Sequence, residues 1–256
     1  MTQNTDIKKQ ADQSLASVDP EVAKLLAQAA ENQAKEEVSG IPFMSLKGKK
    51  FTLGDVKLGT SLDVVILADV IDHSYYDRPY NPDEITPPAC FAIGKDINEL
   101  APHEDSPTPI SDSCKGCPHN EFGSAANGKG KLCRNGRRIL VAPVSSDGSV
   151  NLDDLAIINM APTSLKTYSR YAKSLATVRK LPSWSVVTNL SFDPDEDWPV
   201  LFPTYIGVAP GAVINAIAQR LEEFNEVVAV PYDTSGYVAL DKEAAAASDK
   251  KKSKMS

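Results

Sequence analysis

Apolar positions come in short blocks along this chain, and the spacing within the blocks changes from one region to the next. Behind Asp19-Pro20, an N-cap residue followed by proline at the first helical position, Val22, Leu25, Leu26, Ala29 and Ala30 recur at helical spacing. The stripe is thin and its surroundings are Gln, Glu, Lys and Ala, so a peripheral or partner-docking helix is predicted over residues 20–37. From Phe51 the texture becomes that of strands. Phe51–Leu58 alternates, with a break at Gly54, and Leu62–Ile71 is β-branched and apolar enough for a buried strand. Residues 72–113 carry seven prolines and read as loop-rich, with no strand assigned there. Further strands are predicted at Arg138–Val144, Asp154–Met160, Trp184–Phe192 and Pro203–Val208, with Val227–Pro231 closing the sheet. Two helices are predicted. One runs over Thr163–Lys180, capped by Thr163 or Ser164. The other runs over Gly211–Asn225, with Val213, Ile214, Ile217, Leu221 and Phe224 on one face.

Strands outnumber helices, so the predicted class is β-rich α+β, a small barrel with insertions and peripheral helices. The organisation read from the pattern is a polar arm with a helix (1–45), a folded domain (46–238) and a tail (239–256). The tail is rich in Ala, Lys and Ser, ends in Lys250-Lys251-Lys252-Ser253-Lys254, and is predicted to be disordered. No internal repeat is present. The 256 residues, 42% of them apolar, suffice for a sizeable core. No apolar run reaches the roughly 18–20 residues of a membrane span. The polar first ten residues have no signal-peptide core. A soluble, cytoplasmic protein without membrane partners is the expectation.

The spacing of the cysteines is more informative than their number. All four fall between residues 90 and 133: Cys90, the knuckle Cys114-Lys115-Gly116-Cys117, and Cys133. Thiolates in a set of four suit tetrahedral Zn2+, and a glycine inside the knuckle lets the backbone turn around an ion. A structural zinc site of Cys90, Cys114, Cys117 and Cys133 is predicted, with His119 as an alternative to Cys90. A redox C-x2-C pair would want a strand–helix context, a disulfide conflicts with a cytosolic address, and free buried thiols remain the bland alternative. Four thiolates saturate the ion, so its role would be to fold a glycine-rich, polar segment.

Charge changes the picture again. The net −7 is unevenly spread. Residues 114–138 hold Lys115, Lys129, Lys131, Arg134, Arg137 and Arg138 against the single acid Glu121, a net +5. Residues 166–180 hold Lys166, Arg170, Lys173, Arg179 and Lys180 and no acid, another +5, which leaves −17 for the rest. Lys166, Arg170 and Lys173 share one helix face, and Tyr168 and Tyr171 are interleaved with them. Tyr75, Tyr76 and Tyr80 with Arg78 form a second aromatic and basic stretch, and Phe122 lies among the cations of the first segment. Cations that follow phosphates and aromatic faces that stack on bases are what single-stranded nucleic acid requires. The competing reading is that the charges are solvated faces and the tyrosines are core.

The run Cys114-x2-Cys117-Pro118-His119-Asn120-x-Phe122-Gly123-Ser124, then Gly128-Lys129-Gly130-Lys131-x-Cys133 and Arg137-Arg138, resembles a group of bacteriophage proteins. These are similar to phage single-stranded DNA-binding proteins of the OB-fold type and carry a zinc-ribbon-like insertion. Pro87-Pro88-Ala89-Cys90 and Ala161-Pro162-Thr163-Ser164-Leu165-Lys166-x-Tyr168-x2-Tyr171 extend the resemblance over about residues 60–205. It implies an OB-like barrel with a zinc loop at about 90–138, and sequence-independent binding of single-stranded DNA in phage replication or recombination, in the host cytoplasm. The tail departs from the pattern, since its tip is basic where such proteins commonly end acidic. The acidic Asp193–Asp197 stretch and the arm Glu31–Glu37 are possible substitutes.

No P-loop, dinucleotide fingerprint, G-x-S-x-G elbow or H-E-x-x-H motif occurs, and the only histidines are His73, His103 and His119. The carboxylate pairs Asp153-Asp154 and Asp193–Asp197 read as solvated turns. A non-enzyme is therefore expected. The alternative from another class is a zinc-ribbon protein–protein adaptor, a cofactor of transcription or replication; a Mg2+-dependent nuclease is a distant third.

Overall fold

The computed structural model describes Val22 and residues 40–79, 81 and 86–238; the predicted N-terminal helix, Tyr80 and the tail from residue 239 lie outside the described residues. The chain divides into residues 1–40 and 41–256, and the second unit is described here. Its strands are β1 (Phe43–Met44), β2 (Phe51–Leu53), β3 (Val56–Gly59), β4 (Leu62–Tyr75), β5 (Cys90–Gly94), β6 (Arg134–Pro143), β7 (Ala156–Met160), β8 (Val186–Phe192) and β9 (Leu201–Val208). The helices are α1 (Leu165–Ser174), α2 (Gly211–Gln219) and α3 (Leu221–Val228). The fold is sheet-rich α+β, as the pattern predicts.

One mixed sheet runs in the order β1-β7-β6-β4-β8-β9, with β5 also on β4; β1 is parallel to β7 and the other ladders are antiparallel. Among the described residues no ladder joins β1 to β9, so the strand order is open. A hairpin of β2 and β3 stands apart. No helix among the described residues is long and apolar enough to cross a membrane.

β4 organises the sheet. One edge pairs with β6 from Val64 to Ser74. The other edge is shared, β8 taking Leu62–Val65 and β5 taking Ile71–Tyr75. The register against β6 slips between Ile66 and Ala68, so Leu67 is the extra residue of a β-bulge. Side chains alternate along a strand, so the bulge exchanges the faces of all that follows. Val64 and Ile66 lie on a first face with Ile139, Val141 and Ile158. Val65, Leu67, Ala68 and Val70 lie on the second with Leu140 and Ile157. Beyond the bulge, Asp69, Ile71 and His73 therefore belong to the first face and Asp72 to the second.

Both faces are covered. α1 and the turn that follows it lay Tyr168, Tyr171 and Leu175 on the first face, and α2 and α3 lay Ile217, Phe224 and Val228 on the second. The predicted capping of the first of these helices by Thr163 or Ser164 is not made at Ser164. Its hydroxyl instead accepts from Leu201 N–H at 3.0 Å, and the Thr167 hydroxyl donates to Leu201 O at 2.7 Å, which stitches α1 to β9. After α1 the chain makes a π-helical turn at Leu175–Arg179 and leaves it through Lys180 in the left-handed region (φ 58°).

Three further predictions are corrected. Val227–Pro231 is not a strand: α3 runs to Val228, because Leu221, Phe224, Val227 and Val228 present one apolar helical face to the sheet. The helix over Gly211–Asn225 is broken at Arg220 into α2 and α3. The stretch 72–113 is not all loop, since it contains the end of β4 and the whole of β5.

Candidate nucleic-acid interface

The segment from Lys95 to Cys133 packs on the first face beyond the bulge, where Ile71, Ala92, Leu100 and Cys114 form a small apolar cluster. Its three cysteines meet Cys90 of β5 around one cavity of ≈ 20 Å³, lined also by His73, Tyr75, His119 and Asn120. That volume admits about one water-sized body. Burial pushes the Cys114 thiol up to about 11 and the Cys133 thiol up to about 12, and raises Cys90 as well. Neighbouring cysteines add to this: Cys117 raises Cys90, Cys90 and Cys117 raise Cys114, and all three of the others raise Cys133. The Nδ1 atoms of His73 and His119 are buried without a hydrogen-bond partner. Burial, with Lys131 nearby, lowers the pKa of His73 to about 4 against the opposing influence of Asp72, so this ring is neutral at pH 7. Crowded thiols in a low-dielectric cavity become stable thiolates only beside a cation, and the donor set therefore fits a soft divalent ion. Among the described residues, however, no group of three or more His, Cys, Asp or Glu side chains stands in metal-holding geometry.

The loop is built from hydrogen bonds and turns. Gly116 sits at φ 77°, a backbone conformation that lets the knuckle reverse between Cys114 and Cys117. Cys133 N–H donates to His119 O at 2.8 Å, and Gly123 N–H to Gly130 O at 2.7 Å. Asn120 is the hub. Its Nδ2 donates to Cys114 O at 2.8 Å, and its Oδ1 accepts from Lys131 Nζ at 3.1 Å and from Asn135 Nδ2 at 2.9 Å. The sequence reading missed Asn120 as a determinant, because nothing in a lone asparagine marks it as the tie between two ends of a loop.

Two open grooves run outward from this loop. One, of ≈ 270 Å³, lies between Ile97, Lys115, Phe122 and Lys131. The other, of ≈ 320 Å³, lies between Lys131, Arg137, Asn135 and the Leu165–Ser169 side of α1. They share Ile97, Asn120 and Lys131 in their walls and so adjoin. Phe122 is 83% exposed, with the Lys131 ammonium 5.0 Å from its ring centre. On the outer side of α1, Lys166, Arg170 and Lys173 are all exposed and continue the positive surface.

The predicted contact residues do not all join this surface. Lys115, Phe122, Lys131 and Arg137 line the grooves, Lys129 is exposed at the tip of the loop, and Lys166, Arg170 and Lys173 form the ridge beside it. Arg137 is also ion-paired with Asp69. Arg138 is 1% exposed; its Nε meets Asp72 Oδ2 at 3.2 Å, Nη1 donates to Val230 O, and its guanidinium lies 4.4 Å from the Tyr232 ring centre. It is a structural ion pair of the second face and is withdrawn from the contact set. Tyr168 and Tyr171 are withdrawn too, because both are core residues under α1, Tyr171 with its hydroxyl 2.5 Å from Thr188 Oγ1. Tyr75 turns to the cysteine cavity, its ring 4.3 Å from that of His119. Tyr76 has Arg134, Asp72 and Arg138 as its electrostatic neighbours, and neither Tyr76 nor Arg134 lines the two grooves.

Comparison with protein-family models, with curated proteins and with solved structures finds no match for this chain.

Proposed function

We propose that this chain is a sequence-independent single-stranded DNA-binding protein, a non-enzyme acting in phage DNA replication or recombination in the host cytoplasm. The observation that carries the proposal is the pair of adjoining grooves, one with Phe122 exposed beside Lys115 and Lys131, the other bordered by Arg137 and by α1, whose Lys166, Arg170 and Lys173 are exposed. Cations at such spacing follow phosphates, and an exposed aromatic offers a stacking face to any base. The rest of the chain carries a net −17, and such an excess of acid disfavours a second phosphate chain and hence duplex. An OB-like relationship belongs to the same proposal. A long β4 with a bulge and three partner strands is the kind of strand by which sheets bend toward closure.

Zinc would be held by Cys90, Cys114, Cys117 and Cys133, with His119 available as a replacement donor. With four protein donors it supplies no reaction chemistry; it fixes the loop that carries Lys115, Phe122 and Lys131. Fluorescence anisotropy with labelled oligo-dT and with duplex of equal length, each at two salt concentrations, tests the function. Oligo-dT should bind more tightly than duplex. With about five phosphate contacts, its affinity should fall on the order of 100-fold between ~50 and ~200 mM salt. Equal affinity for both, or for neither, refutes the proposal.

A second reading, the protein–protein adaptor, has one observation in its favour. β9 ends the sheet, and Phe202, Ile206 and Val208 are exposed along it. That reading predicts no oligonucleotide affinity at any salt concentration.

A further inference from the structure

We infer that the groove between α1 and β9 seats one unpaired nucleobase of a bound single strand, with Arg179 as its stacking plane and Arg170 as the adjoining phosphate contact. This rests on the single-strand reading above and assigns it a second site, separate from the loop grooves. The groove measures ≈ 360 Å³ and is lined by Arg170, Ser174, Arg179, Thr204 and Tyr205 among others. That is within the roughly 300–1,000 Å³ of small-molecule sites.

Its walls are fixed. The bonds from Ser164 and Thr167 to Leu201 hold α1 against β9, so the groove does not depend on the cysteine loop. Its cations are unspent: among the described residues, neither Arg170 nor Arg179 lies within ion-pair distance of a carboxylate, whereas Arg78, Arg137, Arg138 and Arg220 each do. Arg179 is already ordered, its guanidinium carbon 3.7 Å from the centre of the Tyr205 ring. A guanidinium stacked on one side by a tyrosine keeps its other plane for a base, and such planes are a standard platform for unstacked bases. Arg179 is the last residue of the π-helical turn, just before the left-handed Lys180, and its guanidinium lies over the Tyr205 ring. Interruptions of this kind recur at functional sites. The loop grooves differ, with the Lys131 ammonium, held by Asn120, beside the exposed Phe122 ring.

Arg170 is the shared element. It lines this groove and shares an exposed helix face with Lys166 and Lys173 on α1, the helix whose Leu165 and Ser169 line one of the loop grooves. A strand following the loop would cross the ridge and enter here.

The test uses the full chain and Arg179→Lys, which keeps the charge and removes the plane. Anisotropy titrations are run with oligo-dT and with an abasic oligonucleotide of the same length. Arg179→Lys should lose on the order of tenfold in affinity for oligo-dT, the effect of one stacked base, with an unchanged salt slope. It should bind the abasic strand as the natural chain does. Arg170→Gln should lower the salt slope on both strands. Unchanged affinity of Arg179→Lys for oligo-dT, or an equal loss on the abasic strand, overturns the inference. If that happens while Lys131→Gln still weakens binding, the single-strand reading survives and only this site falls. If the natural chain binds neither strand, both fall.

Discussion

Ile139, Leu140 and Val141 in the sheet are fully buried, whereas from Cys114 to Cys133 the two knuckle cysteines are buried and every other residue is partly or largely exposed. The sheet has apolar cover on both faces and a long ladder at its centre. The loop has glycines, turns, a network around Asn120 and four crowded thiols. The first needs nothing beyond itself to hold its shape, because buried apolar area stabilises it directly. The second has too little buried area to offset the entropy of ordering some twenty residues. A bound cation would be the natural remedy, and the surface proposed to meet DNA is carried by the region that needs it most.

The strongest way to break this contrast is to damage the sheet. Asp72→Ala would strand the buried Arg138 charge and should cost about 3–5 kcal/mol in urea denaturation, leaving the cysteine region intact in whatever remains folded. Replacing both partners, Asp72→Ala with Arg138→Met, should recover much of that loss. Next comes the loop. Cys117→Ser should abolish a one-per-chain zinc content measured by metal analysis and expose residues 115–132 to limited proteolysis, while the thermal midpoint of the sheet moves little. A large fall in that midpoint would show that the two regions are not independent. Asn120→Ala removes three side-chain hydrogen bonds and should cost about 1–3 kcal/mol, seen as faster amide exchange at Cys114 and Cys133 with the sheet unaffected. The smallest effect is expected of Lys129→Gln at the exposed tip. It should weaken oligo-dT binding evenly across sequences and reduce the salt slope by about 0.7.

Much of the sheet could be read in the sequence, because Leu62–Ile71 and Arg138–Val144 are apolar enough to identify themselves. Their continuations could not. Asp72, His73 and Ser74 look like the start of a loop, yet all three are buried, since β5 and β6 flank them and the cysteine segment and Tyr232 cover them. Cys90–Gly94 hid for the same reason, among prolines. The four cysteines were legible as a group, and the structure places them around one cavity. Which cations stay at the surface was not legible. Arg137 and Arg138 are neighbours in sequence, but alternation sends them to opposite faces, one to a groove and one to a buried pair. Tyr168 and Tyr171 fit a stacking role by composition and a core role by helical phase, and the phase prevailed. The groove of Arg179 and Tyr205 joins a helix end to a strand more than twenty residues later, and no local pattern announces such a meeting.

The bulge at Leu67 has a consequence for how this protein can vary. It works like a frameshift in side-chain space: one residue more or fewer in the first half of β4 would exchange the destinations of Asp69, Ile71, Asp72 and His73 without changing any of them. Arg137 would lose Asp69, Arg138 would lose Asp72, and the floor of the cysteine cavity would turn toward α3. Substitutions in this stretch can be judged one at a time by size and charge. Changes of length cannot, so the spacing between Leu62 and Tyr75 should be less free to vary than most of the side chains within it. Deleting Leu67 should do more damage than replacing it with alanine.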